Sequence, residues 1–281
     1  MHTSLTDRLI RLALEEDLGT GDITTRATVP SGSRCQAVVV AKSPCVISGM
    51  AYFNRVFELL GASTETRCVM NDGDHANAGD TLIHLSGPVE PILSGERAAL
   101  NILQALCGIA TLTRRFVDAI EGTAARIVDT RKTPPGMRTM AKQAVLAGGG
   151  SNHRMGLDSG VLIKENHIAS AGSVTEAVAR ARAVAPHSLR VEVEVTNQAE
   201  VAEALAAGAD ILLLDNMSLA SMADAVKVTR ATGRPVLLEA SGNLSLERVR
   251  AVAEVGVDLL SVGALTHSAP AADLSLRIVE S

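Results

Sequence analysis

From residue 126 onward the chain alternates between two patterns. Short aliphatic runs recur (ARIVDT, GVLIK, RVEVEV, ILLLD, PVLLEA and LLSVG). Ala-rich amphipathic segments lie between most of them: SVTEAVARARAVA, QAEVAEALAAG, LASMADAVKVTRATG and LERVRAVAEVG. Near-continuous aliphatic strands separated by helices predict a parallel sheet covered by helices. Six evenly paced strands favour a closed or nearly closed barrel over an open doubly wound sheet. No G-x-G-x-x-G follows the first strand, which argues against a dinucleotide fold.

The first third has another rhythm. Leu5, Leu9, Leu12 and Ala13 recur at helical spacing, and Gly19 ends that helix. QAVVVAKS and CVISG read as short strands, AYFNRVFELLG as a helix closed by Gly61, and VMNDGDHANAGDTLIHLSG as a turn-rich stretch around one alternating strand. A long helix is predicted from about Ser94 to Glu121. The change of rhythm places a domain boundary near residue 110, giving an α/β domain over 1–110 and a barrel domain over 111–281.

Composition narrows the functional classes. The chain has 281 residues and a formal charge of −5, from 26 basic and 31 acidic residues, so no global positive field draws it to nucleic acid or an anionic membrane. An anionic ligand must then be met by a local basic cluster. Tyr52, Phe53, Phe57 and Phe116 are all the aromatic residues, which predicts an aliphatic core and speaks against base stacking on single-stranded nucleic acid. Cys35, Cys45, Cys68 and Cys107 form no C-x-x-C pair, so free and mostly buried thiols are expected. The N-terminus is broken by charge every few residues, unlike a signal peptide, and no apolar run reaches membrane-spanning length. A soluble, cytoplasmic protein is the expectation.

In a parallel barrel the active site lies at the C-terminal ends of the strands. Those ends carry Asp129-Thr130-Arg131-Lys132, then Lys164, Glu194, Asp215-Asn216, Glu239 followed by Ser241-Gly242-Asn243, and finally Gly263-Ala264. One charged strand end is commonplace. This set segregates by type. Arg131, Lys132, His153, Arg154 and Lys164 come early, the carboxylates Glu194 and Asp215 later, and small phosphate-friendly turns last. Such an order suits a ligand with anionic groups at one end and a metal-bound phosphate at the other. AGGGSNHRMGL (147–157) could cradle a phosphate. Its His and Arg suggest instead that the glycines let the backbone turn so that His153 and Arg154 meet a carboxylate.

The strings EDLGTGDITT (16–25), SGERAALNILQALCGIAT (94–111), DTRKTPPGMR (129–138), GGGSNHRMGL (148–157), VLIKENHI (161–168), VEVEV (191–195), LLLDNMS (212–218) and EASGN (239–243) resemble the quinolinate phosphoribosyltransferase family, in matching order along the whole chain. The resemblance implies an N-terminal α/β sandwich domain and an incomplete seven-stranded α/β barrel, one strand more than the six runs supply. It implies transfer of phosphoribosyl from phosphoribosyl pyrophosphate to quinolinate with Mg²⁺, releasing pyrophosphate and CO₂. Carried over by position, Arg97, Arg131, Lys132, His153, Arg154 and Lys164 would grip quinolinate and pyrophosphate, with Thr130 beside them. Glu194 and Asp215 would lie near the ribose hydroxyls and Mg²⁺, and Ser241, Gly242, Asn243, Gly263 and Ala264 near the 5′-phosphate. Lys132, Lys164, Glu194 and Asp215 would be the catalytic set. The counterpart of Arg97 reaches into a neighbour's site, which implies a homodimer, open to further assembly.

Two positions depart from the family pattern: Pro134 where many relatives carry Thr, and Glu165 where Asp is more usual. Two other readings compete, a related phosphoribosyltransferase-like protein of molybdate-transport operons and a non-catalytic phosphoribosyl sensor. The Asn-His-Arg run speaks against the first, and the carboxylates Glu194 and Asp215 against the second.

Overall fold

The computed structural model describes residues 4–61 and 63–280. In chain order its elements are α1 (Leu5–Leu18), α2 (Ile23–Thr28), β1 (Arg34–Ala41), β2 (Cys45–Val46), α3 (Met50–Leu59), β3 (Glu65–Cys68), β4 (His75–Ala76), β5 (Thr81–Pro88) and α4 (Val89–Ala119). There follow β6 (Arg126–Val128), α5 (Arg138–Ala147), β7 (Val161–Ile163), α6 (Glu165–Ala171), α7 (Val174–Val184), β8 (Val191–Val195) and α8 (Gln198–Ala207). The last are β9 (Ile211–Asp215), α9 (Leu219–Ala231), β10 (Leu237–Ser241), α10 (Leu246–Glu254), β11 (Leu259–Ser261), α11 (Ala264–His267) and β12 (Leu274–Glu280).

The chain divides into two compact units. The first comprises residues 1–114, 133–149 and 265–281; the second comprises 115–132 and 150–264. The rhythm of the sequence shows one boundary near residue 110. The contacts return two later segments, α5 and β12, to the first unit.

The first unit is built on an antiparallel sheet of order β12-β1-β5-β3. Its core is aliphatic around one aromatic pair, Phe53 and Phe57, whose centroids lie 5.3 Å apart. The helix predicted from Ser94 begins at Val89. Pro91 reads as a breaker, but it falls in the first turn, where its missing N–H would have had no helical partner. Two strands escape the hydrophobic pattern: β3, whose sequence ETRC is mostly exposed, and β12, which pairs with β1 across the full chain length. In α1 the buried residues are Ile10 and Leu14, while Leu5 and Leu12 are exposed. The helix exists where expected but turns another face inward.

The second unit is a parallel sheet of order β6-β11-β10-β9-β8-β7, the six aliphatic runs. The gap between its edge strands holds a single parallel bridge, Val128 to Ser151. Ser151 N–H donates to the Ile127 carbonyl, and its own carbonyl accepts from Asp129 N–H. This is the place of the seventh strand, reduced here to one residue and too short to leave a hydrophobic run.

The strands look uniformly aliphatic, yet their alternation sorts them into two layers. Val191, Val193, Val195, Leu212, Leu214, Leu238 and Ala240 are fully buried on one face. The residues between them, Glu192, Glu194, Leu213, Asp215, Glu239 and Ser241, face the lumen, because side chains alternate along a strand. Helices α7, α8 and α9 start at Ser173, Asn197 and Ser218, whose side chains accept N–H groups of the first turn. At the opposite ends of the strands, Asp210 and Asp258 each accept a strand N–H and an arginine, Arg182 and Arg230 respectively. Three of the four cysteines are buried, and all four are free thiols. Among the described residues, no helix is long and apolar enough to cross a membrane.

Candidate active site

The C-terminal strand ends enclose a cavity of about 460 Å³. β6 delivers Thr130, Arg131 and Lys132; the bridge segment delivers His153 and Arg154; β7 delivers Lys164. Glu194 comes from β8, Asp215 and Asn216 from β9, and Ser241, Gly242 and Asn243 from β10 and the turn after it. Thus twelve residues from five elements and one bridge segment meet in a single space, and eleven of them, all but Asn216, are candidate site residues from the sequence. Gly263 and Ala264 follow β11 at the start of α11 and are not among the lining residues; Ser261, two residues earlier, is. Arg97 lies in α4 of the first unit, more than half exposed, with its guanidinium 3.9 Å from Glu96.

Two of the cavity's cations, Arg131 and Arg154, lie close enough to act on each other. Burial and the neighbouring Arg131 guanidinium lower the pKa of Arg154 from its ordinary value, against the attraction of Glu192. An arginine stays charged at neutral pH all the same. Two guanidinium groups close enough to repel each other are a standing invitation to a carboxylate or phosphate. Arg154 Nη1 donates to the Gly160 carbonyl at 2.9 Å, which anchors one edge of its fork. Lys164 pairs with Glu194. Thr130 Oγ1 accepts the Lys132 N–H at 3.0 Å, tightening the loop after β6.

The turn after β10 has the form of an anion cradle. Asn216, Gly242 and Asn243 have φ of 52°, 94° and 48°, all left-handed. Asn216 N–H donates to the Ser241 carbonyl and its Nδ2 to Asp215. A Cβ on Gly242 would stand 2.2 Å from Asn216 Oδ1, so only glycine fits. Turns of this kind gather successive N–H groups for a phosphate.

Around His153 stand three buried acids to which the sequence assigns no role, Asp129, Glu192 and Glu239, and Glu239 lines the cavity. Asp129 Oδ1 accepts the His153 N–H at 2.9 Å. The His153 ring has Nε2 at 3.2 Å from Glu192 and 3.6 Å from Glu239. Its Nδ1 accepts the Arg154 N–H at 2.7 Å. Both ring nitrogens are thus committed within the chain. Burial disfavours the imidazolium, but the hydrogen bond to Glu192 and the charges of Glu239 and Glu192 outweigh it and raise the His153 pKa. The Arg154 N–H aimed at Nδ1 opposes a second ring proton, and the geometry is that of the neutral Nε2–H tautomer. Burial and the charge of Glu192 push Glu239 up to about 7. A signal for Glu192 is present in the sequence: a glutamate at the second position of VEVEV is costly in a buried strand unless something pairs it.

A parallel α/β barrel with clustered cations, two carboxylates and a left-handed phosphate-type turn at its strand ends defines a barrel that grips a phosphorylated, polyanionic substrate. The family models describe it more narrowly. Residues 22–107 match the N-terminal domain of quinolinate phosphoribosyl transferase and residues 109–277 its C-terminal domain. A probable nicotinate-nucleotide pyrophosphorylase [carboxylating] of Bacillus subtilis is 42% identical over 263 residues, covering 94% of this chain and 90% of its own. The nicotinate-nucleotide pyrophosphorylase [carboxylating] of Mycobacterium leprae is 43% identical over 274 residues, covering 96% and 95%. The solved nicotinate-nucleotide pyrophosphorylase of Francisella tularensis superposes with a TM-score of 0.93 at 40% identity, covering 98% of this chain and 96% of that one. The chain belongs to the quinolinate phosphoribosyltransferase family.

Proposed function

We propose that this chain transfers the phosphoribosyl group of phosphoribosyl pyrophosphate to quinolinate and releases CO₂, forming nicotinate mononucleotide for NAD biosynthesis. The observation that carries the reading is the set of charges gathered in one cavity: Arg131 and Arg154 close together with Lys132, the Lys164–Glu194 pair beside Asp215, and the Ser241–Asn243 turn. Quinolinate is a planar dicarboxylate, which a guanidinium fork meets better than an ammonium does. Arg131 and Arg154 take its carboxylates and turn the ring nitrogen toward C1 of the ribose. That nitrogen's lone pair forms the N–C1 bond as the C1–O bond to pyrophosphate breaks. Charge that builds on the leaving pyrophosphate is met by the preplaced cations Lys132 and Arg131.

Nitrogen is then a pyridinium. The carboxylate beside it leaves as CO₂, its bonding pair stays on the ring carbon, and a proton closes the step. Lys132 or Lys164 is positioned at a strand end to hold that proton. Glu194 and Asp215 end adjacent strands with carboxylates lining the cavity, a hard-oxygen donor set that suits Mg²⁺. When bound there, Mg²⁺ would supply charge neutralisation for the pyrophosphate. The active unit in this reading is a cytoplasmic homodimer in which Arg97 completes the neighbour's site. Its exposed guanidinium supports that role.

The test is direct. Protein, quinolinate and phosphoribosyl pyrophosphate are mixed with and without Mg²⁺, and quinolinate loss and CO₂ release are followed together. Equal rates of both, abolished by chelator and restored by Mg²⁺, are expected. Ligand binding without turnover would overturn the enzymatic reading.

A further inference from the structure

The Asn152–Arg154 stretch is held by a chain of contacts that ends inside the barrel. Asp129 takes the His153 N–H, His153 Nδ1 takes the Arg154 N–H, and Nε2 is aimed at Glu192 and Glu239. The two glutamates are 4% and 1% exposed, and each has an Oε1 with no hydrogen-bond partner. A second cavity, of about 410 Å³ at the N-terminal ends of the strands, reaches the same three side chains from the other mouth of the barrel. His153 lines both cavities, so its ring is part of the partition between them.

Burying two carboxylates in such a place costs several kcal/mol unless they hold something. The three ligand atoms lie within 4.8 Å of one another, a spacing that could suit a metal ion. The ring argues otherwise. With Nδ1 accepting from a backbone N–H, Nε2 carries the proton and has no lone pair to give. What the glutamates hold is that Nε2–H.

We propose that Glu192, backed by Glu239, is a positioning residue for the reaction. By accepting the Nε2 proton it locks the His153 ring so that Nδ1 holds the Arg154 N–H, and this fixes the Arg154 guanidinium in the substrate cavity. A ring without an inward acceptor would flip or change tautomer, and a protonated Nδ1 repels the Arg154 N–H. The inference rests on the reading of Arg154 as a quinolinate clamp given above.

The test separates the two claims. Glu192→Met fills the same space without an acceptor, Glu192→Gln restores an acceptor without charge, and Glu192→Asp stops one methylene short. In the Met variant KM for quinolinate is expected to rise roughly tenfold, with kcat and KM for phosphoribosyl pyrophosphate within about twofold of wild type. The Gln variant is expected to recover most of that loss. Nitrogen-15 labelling of histidine reads the ring itself. Nδ1 of His153 is expected to be unprotonated in the wild type and the Gln variant, and to lose that signature in the Met variant. Should the Met variant not fold, the Asp variant is expected to show the same loss. A wild-type tautomer with the acceptor removed overturns the proposal, and so does an equal loss of affinity for both substrates. If Arg154→Ala leaves KM for quinolinate unchanged, the clamp reading falls instead, and the tautomer signal still judges the ring lock.

Discussion

Glu239 shows how one buried residue ties site chemistry to folding. Burial and the charge of Glu192 raise its pKa from 4.5 to about 7, with His153 partly offsetting the shift and Asp129 adding to it. The folded state therefore binds one more proton than the unfolded chain between these two values, and stability falls as pH rises through that window. The full loss is about 3 kcal/mol, complete above the folded pKa. Glu239→Gln removes the titration. Relative to wild type, its unfolding free energy is expected to improve by up to about 3 kcal/mol on going from about pH 5 to about pH 8. Denaturant unfolding at the two pH values measures it. A wild-type-to-variant difference that is the same at both would show that Glu239 is already ionised in the fold. The same residue illustrates what a sequence conceals. A glutamate ending an aliphatic run marks a strand end. Its meeting with His153 and Glu192 depends on the segment after Ser151 bringing the His153 ring within 3.2 Å of Glu192 and 3.6 Å of Glu239.

At the scale of elements, the glycine run 148–150 that precedes His153 begins at a close packing point. Gly148 closes α5 where that helix crosses α4. A Cβ there would stand 2.5 Å from the Ala110 carbonyl oxygen and 2.6 Å from Thr113 Cβ. Thr113 is fully buried and bonded to the Ile109 carbonyl, so neither contact can give way. Gly148→Ala is expected to cost about 1–3 kcal/mol, the usual penalty for overpacking, and to lower Tm by several degrees. An unchanged Tm would mean that α5 shifts freely on α4. Such a close approach was invisible in the sequence, where three glycines suit a phosphate loop equally well. The helices α1, α3, α4 and α7 to α10 and the six main strands are legible because each carries its own period; α2, α5, α6 and α11 are not, three of them being short and α5 lying among the residues that read as site loop. β3, β12 and the one-residue seventh strand are not legible either, because pairing with distant partners defines them rather than any local run.

At the scale of the whole molecule, the reading of Arg97 as a partner-site residue makes an arithmetic prediction. Arg97→Ala and Arg131→Ala are each expected to be inactive while remaining folded dimers. Subunits mixed equally and reassorted at random form mixed dimers about half the time, and each such dimer regains one intact site of two. The mixture should then recover about a quarter of wild-type activity. No recovery in verified mixed dimers would place Arg97 in its own subunit's site or in none.

The sequence by itself determined the parallel barrel, the order of its strands' chemistry, the aliphatic core and the cations and carboxylates that meet at the strand ends. Each of these is written in local periodicity and in the residue that ends each run, and a strand's end faces the site whatever the details of packing. Only the tertiary structure decided the rest. It returned α5 and β12 to the first unit, reduced the seventh strand to Ser151, and gave both nitrogens of His153 to Arg154 and the buried glutamates. Those outcomes depend on which residues approach within a few ångströms across long separations in sequence. AGGGSNHRMGL thus reads as a tight packing point followed by a ring-locked arginine.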